Sequence, residues 1–184
     1  MTKEFNPDRL DAKAFVQAGA RLAGHDSLLK YERLAQEAKG LHPDLRVDWE
    51  AQGEWRAEAG TEGGQMWMHL QVQATFPMVC QRCLGPVDVP LQVNRSFRFV
   101  ADEATAEALD DEVEEDLLAL SREFDLHELI EDELLMTLPV VPRHDECPTP
   151  VPMASSDEDF EAAEAERPNP FAALASLRVG KSDK

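Results

Sequence analysis

Two short motifs contain all three cysteines and one of the five histidines of the chain, Cys80-Gln-Arg-Cys83 and His144-Asp-Glu-Cys147. A spacing of two residues lets one turn present both side chains to the same ion, and thiolates with imidazole are typical zinc ligands. Two such turns would complete a tetrahedral site. The metal candidates are therefore Cys80, Cys83, His144 and Cys147. Because four protein ligands leave no open position, the expected site is a structural zinc site rather than a catalytic one.

Two other interpretations of the cysteines stay open at this point. Cys80 and Cys83 can be buried as small hydrophobic side chains. They can also form a redox pair, although such a motif normally opens a helix, and Gly85 and Pro86 disfavour a helix here. An odd and small number of cysteines excludes a disulfide framework and is typical of a reducing compartment.

Other chemistry is sparse in the sequence. There is no Gly-rich phosphate loop, no Gly-x-Ser-x-Gly and no His-Glu-x-x-His motif. His127 with Glu128, Glu131 and Asp132 can be drawn as a magnesium or acid–base site. The apolar stripe of the same segment favours the simpler interpretation, which places these groups on the solvated face of an amphipathic helix. We therefore predict no catalytic residues and a protein that is not an enzyme.

Arginines of the predicted sheet are candidates for contact with RNA or with a partner protein, namely Arg82, Arg95 and Arg98. A local basic patch is compatible with an acidic chain because salt limits the reach of distant charges to about 10 Å. Salt bridges to nearby carboxylates are the alternative interpretation of these arginines.

Charge is distributed unevenly along the 184 residues. The net charge is −19, and residues 101–166 hold 23 acidic and two basic side chains. Such density predicts that residues 102–116 and 157–166 form loops or loosely ordered arms. They either keep the protein soluble, or they attract a basic partner or imitate a polyanion. No apolar run reaches the length of a membrane span, and the N-terminus lacks a secretory signal, so we expect a cytoplasmic protein with no membrane contact.

The periodicity of apolar residues predicts an α+β fold. A helix is expected at about 27–39. Period-two runs over about 45–99, with turns at Gly53 and at 60–64, predict an antiparallel meander sheet of about four strands. An acidic loop at 101–116 then leads to a helix at about 125–138, which starts at a capping box and ends at Pro139. Two or three helices should therefore cover the sheet.

The domain organisation follows from a change in composition after Pro148. Residues 1–148 are expected to form the α+β domain. Residues 149–184 are expected to form an acidic, partly disordered tail. Within the tail, residues 171–177 (FAALASL) are predicted to dock as a short helix capped by Asn169.

Several segments together resemble one protein family. They are residues 80–84 (CQRCL), 131–144 (EDELLMTLPVVPRH), Cys147 and residues 167–177 (RPNPFAALASL). In this order they resemble the YceD family, the large ribosomal RNA subunit accumulation proteins of bacteria and plastids. The resemblance covers most of residues 65–178, with a weaker similarity at 28–34.

The resemblance implies a role in accumulation or processing of 23S ribosomal RNA, and so in assembly of the large ribosomal subunit. Because it supplies no established catalytic residue, we expect a non-enzymatic factor. The expected partner is a large-subunit precursor particle, or a basic ribosomal or assembly protein that the acidic arm would engage. Relatives that carry further cysteines near the position of His144 are consistent with a metal site. Direct RNA binding beside a structural zinc site, and a metal-dependent ribonuclease, are the alternative functions.

Overall fold

The computed structural model describes residues 4–57 and 64–150, together with residues 152, 155, 157, 159, 160 and 171. Contacts divide the chain into two units, Met1–Cys147 and Pro148–Lys184. The predicted docking helix at 171–177, most of the second acidic arm and the turn at 60–64 lie largely outside the described residues. Within the described part of the chain, no helix is long and apolar enough to cross a membrane.

A five-stranded sheet forms the centre of the first unit. Its strands are β1 (Arg21–Ser27), β2 (Arg46–Ala57), β3 (Gly64–Val79), β4 (Pro86–Val100) and β5 (Asp116–Ala119), and they lie in this order across the sheet. Neighbours from β1 to β4 pair antiparallel, and β5 pairs parallel with β4. The α+β class is confirmed. The sheet is mixed and has five strands, however, whereas the sequence predicted about four antiparallel strands.

Four short α-helices accompany the sheet in the part of the chain described. They are α1 (Ala12–Gln17), α2 (Glu32–Glu37), α3 (Glu103–Leu109) and α4 (Leu126–Thr137). The longest, α4, lies where the sequence predicts a helix, and the Asp125 carboxylate caps it by accepting the Glu128 backbone N–H at 3.0 Å.

The core lies between one face of the sheet and the helices. Alternate residues of β2, β3 and β4 point into it, as the period-two pattern predicts, and include Val47, Leu70, Val72, Leu91 and Val93. Ile130 and Leu134 of α4 and Phe15 of α1 pack against this face and are fully buried. Covering a single sheet face leaves the opposite face polar.

The helix predicted at 27–39 was wrong in its extent. Residues 21–27 form β1, a 3₁₀ turn covers Leu28–Lys30, and only α2 is α-helical. The inward positions of β1 include Gly24 and Asp26, so no apolar alternation marks this strand. A Cβ on Gly24 would lie 2.4 Å from the Trp49 ring, so the strand needs a glycine where the indole packs.

The acidic segment 101–116 is not simply a loop. Asp102 caps α3 by accepting the Thr105 backbone N–H at 2.8 Å, and the chain then enters β5. Because β5 pairs parallel with the last four residues of β4, the segment between them must return from Val100 to the level of Phe97 before β5 begins. The acidic segment is therefore the crossover connection of the sheet.

The turn predicted at Gly53 is also wrong, because β2 continues through this residue. A Cβ at Gly53 would lie 2.8 Å from the Val16 Cα and 2.9 Å from the Phe15 carbonyl oxygen. The glycine therefore permits close packing of α1 on the strand rather than a reversal of the chain.

Candidate metal centre

The connection between β3 and β4 presents the first cysteine pair. Cys80 follows directly after β3, its N–H donates to the Gly85 carbonyl at 2.8 Å, and its own carbonyl accepts the Leu84 N–H at 2.8 Å. Leu84 adopts φ 58°, a left-handed conformation that is unusual for a residue other than glycine. These bonds fold the connection into a tight turn that holds Cys80 buried and Cys83 half-buried.

The segment after α4 brings the second pair to the same place. The Gln81 N–H donates to the Pro142 carbonyl at 2.8 Å and joins the two segments. Cys83 Sγ then lies 3.4 Å from His144 Nδ1, and Cys80 Sγ lies 3.9 Å from Cys147 Sγ. All four ligand atoms lie within 4.8 Å of one another.

These separations fit a tetrahedral site. With zinc–sulfur bonds near 2.3 Å and a zinc–nitrogen bond near 2.05 Å, tetrahedral geometry places two sulfurs about 3.8 Å apart and a sulfur and a nitrogen about 3.6 Å apart. The observed distances are 3.9 Å and 3.4 Å. The cysteines are free, since a disulfide would need about 2.05 Å between sulfurs. The cluster can therefore hold one metal ion.

Backbone dipoles favour the ionised form of one thiol. Burial raises the pKa of Cys80, but backbone N–H groups of Cys83, His144 and Arg82 stabilise its thiolate and lower the pKa to about 5. At Cys83 the Gly85 N–H lowers the pKa, but burial and the neighbouring thiols of Cys147 and Cys80 outweigh it and raise the value. Without a cation, the cluster therefore resists full ionisation, and a divalent cation would remove this repulsion.

Arg82 supports the cluster from outside. Its Nε donates to Cys147 Sγ at 3.0 Å, and one terminal nitrogen donates to the carbonyls of His144 at 3.0 Å and Asp145 at 3.1 Å. The guanidinium thus fixes the backbone that carries two of the ligands. The hydrogen bond to Cys147 in turn raises the pKa of Arg82, so the group stays charged.

The three arginines predicted to contact RNA or a partner lie in different surroundings. Arg95 is on the core-facing side of β4, where it pairs with Asp116 at 2.5 Å and lies 3.6 Å from the buried Glu133. Arg98, three residues on, lies on the opposite face beside Trp67, and its buried Nε has no hydrogen-bond partner within residues 4–57 and 64–150. Together with Arg82 they do not form one continuous patch.

Two carboxylates of α4 are buried rather than on the predicted solvated face, whereas Glu128 is exposed as predicted. Glu131 is buried, and its carboxylate accepts the backbone N–H groups of Arg33 at 2.7 Å and Leu34 at 3.1 Å, and Arg33 Nε at 2.8 Å. It therefore caps α2 from a neighbouring helix. Glu133 is also buried, and burial raises its pKa. These groups hold helices and strands together.

His127 is buried as well and belongs to a separate polar cluster. Its Nδ1 lies 2.7 Å from Asp8 Oδ1, its Nε2 lies 3.1 Å from Asp26 Oδ2, and Lys30 Nζ lies within 3.2 Å of both ring nitrogens. The ammonium group of Lys30 thus lies where a metal cation would otherwise neutralise the carboxylates of Asp8 and Asp26. The magnesium or acid–base site drawn from the sequence does not form, because Glu131 points to α2 instead.

Sequence reasoning missed this cluster because its members are far apart in the chain. Asp8 and His127 are 119 positions apart. The one local signal was a histidine adjacent to the apolar stripe of α4, and that pattern also fits an exposed residue.

Comparison with known families gives a match over the part of the chain that carries the four candidate metal ligands. The model of the family described as "Large ribosomal RNA subunit accumulation protein YceD" matches residues 68–178. The chain belongs to the YceD family. All four candidate ligands lie inside the matched region, whereas α1, β1, α2 and β2 precede it.

A relative in this family comes from Haemophilus influenzae and is named "Large ribosomal RNA subunit accumulation protein YceD". It is 32% identical over 116 residues, which cover 60% of this chain and 64% of the relative. The match thus spans less than two thirds of that protein. No solved structure matches the chain.

Proposed function

We propose that this protein is a non-enzymatic factor that promotes accumulation or processing of 23S ribosomal RNA and assembly of the large ribosomal subunit in the cytoplasm. Membership of the YceD family is the observation that carries the proposal, together with the printed name of the Haemophilus influenzae relative. What the geometry adds is how such a factor would be built and which groups would contact a partner.

Zinc is the metal that the four ligands fit. Cys80, Cys83, His144 and Cys147 would hold it, and a bound Zn²⁺ would fix the turn after β3 to the segment after α4. Three cysteines and a histidine fill all four positions of a tetrahedral ion, so the proposed role is structural. Arg82 would orient Cys147 from the second layer of contacts.

A non-enzymatic role is supported by how the acidic side chains of α4 are used. Glu131 accepts three hydrogen bonds from α2, and Glu133 lies buried near Arg95. A ribonuclease that uses magnesium needs carboxylates with free oxygens that converge on one ion. The carboxylate oxygens of Glu131 and Glu133 are instead engaged in holding the fold.

A basic ribosomal or assembly protein is the partner that the charges favour. Residues 101–116 alone carry nine carboxylates and no basic side chain. Such a surface speeds encounter with a cationic partner and repels RNA phosphates. Direct RNA contact through Arg82 and Arg95 is less favoured, since both guanidinium groups are already hydrogen-bonded within the protein.

The cellular test uses a bacterial strain whose own copy of the gene is deleted. Wild-type protein should restore the ratio of large to small subunits in sucrose gradients and the level of 23S RNA. A variant with neutral amides at 107, 110, 111, 112, 114 and 115 should restore less. Asp102 and Asp116 are left unchanged because they cap α3 and pair with Arg95.

The matched control exchanges Asp for Glu and Glu for Asp at the same six positions, which keeps the charge. Equal rescue by the neutral variant and the control would refute a role for the arm. Failure of wild-type protein to restore subunits would refute the function itself. Purified protein incubated with precursor RNA and magnesium should cut none of it, and cleavage above that of a Glu131→Gln variant would overturn the non-enzymatic role.

Metal analysis tests the structural site. The purified protein should contain about one equivalent of zinc, and Cys147→Ser should lose it. Less than a tenth of an equivalent in wild-type protein, with all thiols free, would overturn the zinc proposal.

A further inference from the structure

An open groove runs between α4 and the segment that joins β4 to β5. Its volume is about 650 Å³. The floor is formed by half-buried apolar side chains, Leu118, Leu120, Phe124 and Leu129. Small-molecule sites of this volume are usually closed and mostly apolar. This groove is open to solvent and has a polar rim, and such a shape suits a peptide segment of another protein.

All the charged side chains that line the groove are acidic. Six carboxylates line the groove and no lysine or arginine does: Asp102, Glu103, Glu123, Asp125, Glu128 and Asp132. Glu123 pairs with Arg9 and Asp132 pairs with Arg33, while Asp102 and Asp125 cap helices. Glu103 and Glu128 are exposed and have no basic partner within residues 4–57 and 64–150.

The groove also continues into the acidic crossover. α3 starts at its edge with Glu103, and the carboxylates of residues 107–116 follow directly. A cation that approaches the groove therefore experiences attraction from the rim and from the crossover. An anion, including an RNA backbone, experiences repulsion from both.

We propose that this groove binds a basic amphipathic peptide segment of a partner protein, with apolar side chains on the floor and Lys or Arg side chains at the rim carboxylates. An amphipathic segment laid in a groove is a common mode of peptide recognition, and the sign of the charge selects its sequence. The inference rests on the proposed function, because it gives the basic partner of that function a place to dock. The crossover increases the rate of encounter, and the groove provides the specific contact.

The test uses the full chain and short fluorescent peptides with leucine on one face and lysine on the other. One control peptide replaces leucine by serine and keeps the charge. A second replaces lysine by glutamate. Binding of the Leu/Lys peptide, followed by anisotropy, should be at least about tenfold tighter than binding of the serine control, because only the former covers the apolar floor. The affinity should fall as salt is raised from about 50 to about 300 mM.

Two protein variants locate the binding. Glu103→Gln with Glu128→Gln should weaken binding about three- to tenfold, as expected for two partly screened charges. The matched control, Glu37→Gln with Asp88→Asn, removes the same charge from exposed residues outside the groove and should stay within about twofold of wild type. Asp88 lies near the start of β4, about 40 Å along the strand from Ala101.

Carbodiimide cross-linking of the bound peptide should join its lysines to Glu103, Glu123 or Glu128. Equal binding of the leucine and serine peptides, cross-links confined to residues 107–116, or displacement by an equal concentration of oligo-uridine would overturn the groove proposal. None of these results affects rescue of large subunits by the wild-type gene. That rescue separately decides the proposed function.

Discussion

Replacement of Glu131 separates a structural carboxylate from a catalytic one. The side chain is 11% exposed and accepts two backbone N–H groups at the N-terminus of α2 as well as Arg33 Nε. α2 has six residues, too few to be stable without outside contacts. Loss of a helix cap costs about 1 kcal/mol, and an unsatisfied buried donor such as the Leu34 N–H costs about 1–3 kcal/mol more. We therefore expect Glu131→Ala to lower the free energy of unfolding by about 3 kcal/mol.

Glu131→Gln should lose less, about 1 kcal/mol, because the amide oxygen can still accept both backbone N–H groups and only the contact with Arg33 Nε is lost. Arg33→Ala should also cost about 1 kcal/mol or less, since it keeps the backbone donors and the ion pair is half exposed. Glu128→Ala on the same helix is the control and should change stability by about 0.5 kcal/mol or less.

Urea unfolding followed by circular dichroism measures these differences. With a slope of about 2 kcal/mol per molar, Glu131→Ala should lower the midpoint by about 1.5 M. The cap is refuted if Glu131→Ala unfolds within about 0.5 kcal/mol of wild type, or if Arg33→Ala costs as much as Glu131→Ala. The second result would assign the effect to the ion pair.

Three further results are expected. Because the pKa of Cys80 is lowered to about 5, ultraviolet absorbance of metal-free protein should show at least one thiolate at pH 6.5, and three protonated thiols would contradict this. The contribution of Cys80 to stability should increase as the pH rises from about 5 to about 9, whereas the raised pKa of Cys83 should lower stability above about pH 9. Arg82→Ala should weaken zinc binding about tenfold in a competition with a chelator while leaving RNA affinity unchanged, and the reverse pattern would make Arg82 an RNA contact. Gly24→Ala should lower stability by about 2 kcal/mol in thermal unfolding, because its Cβ displaces the Trp49 ring and disturbs the 2.6 Å hydrogen bond from Trp49 Nε1 to Asp26. The control, Gly19→Ala, should cost less, because a Cβ there meets no atom within 4 Å and only the positive φ of the residue opposes it.

Local patterns were sufficient for the elements with strong periodicity. β3 and β4 have 16 and 15 residues and alternate apolar and polar side chains over most of that length, with Trp67 and Arg95 as exceptions. Asp125 with the apolar stripe after it marks α4. Each signal depends on residues a few positions apart, so the sequence reveals it directly. The short elements were missed for the opposite reason. α1 has a cap at Asp11 but only six residues, and β1 contains a glycine and an aspartate at inward positions.

By itself, the sequence determined the residue types of the candidate metal cluster, the acidity of residues 101–166 and the alternation of the long strands, since all of these depend on residue identity and short spacing. Only the tertiary structure decided that Cys83 and His144, 61 positions apart, lie 3.4 Å from each other. It likewise decided that Glu131 caps α2 and that six carboxylates surround one apolar groove. These contacts join residues distant in the chain, and their geometry depends on how the sheet and helices pack, which no local pattern encodes.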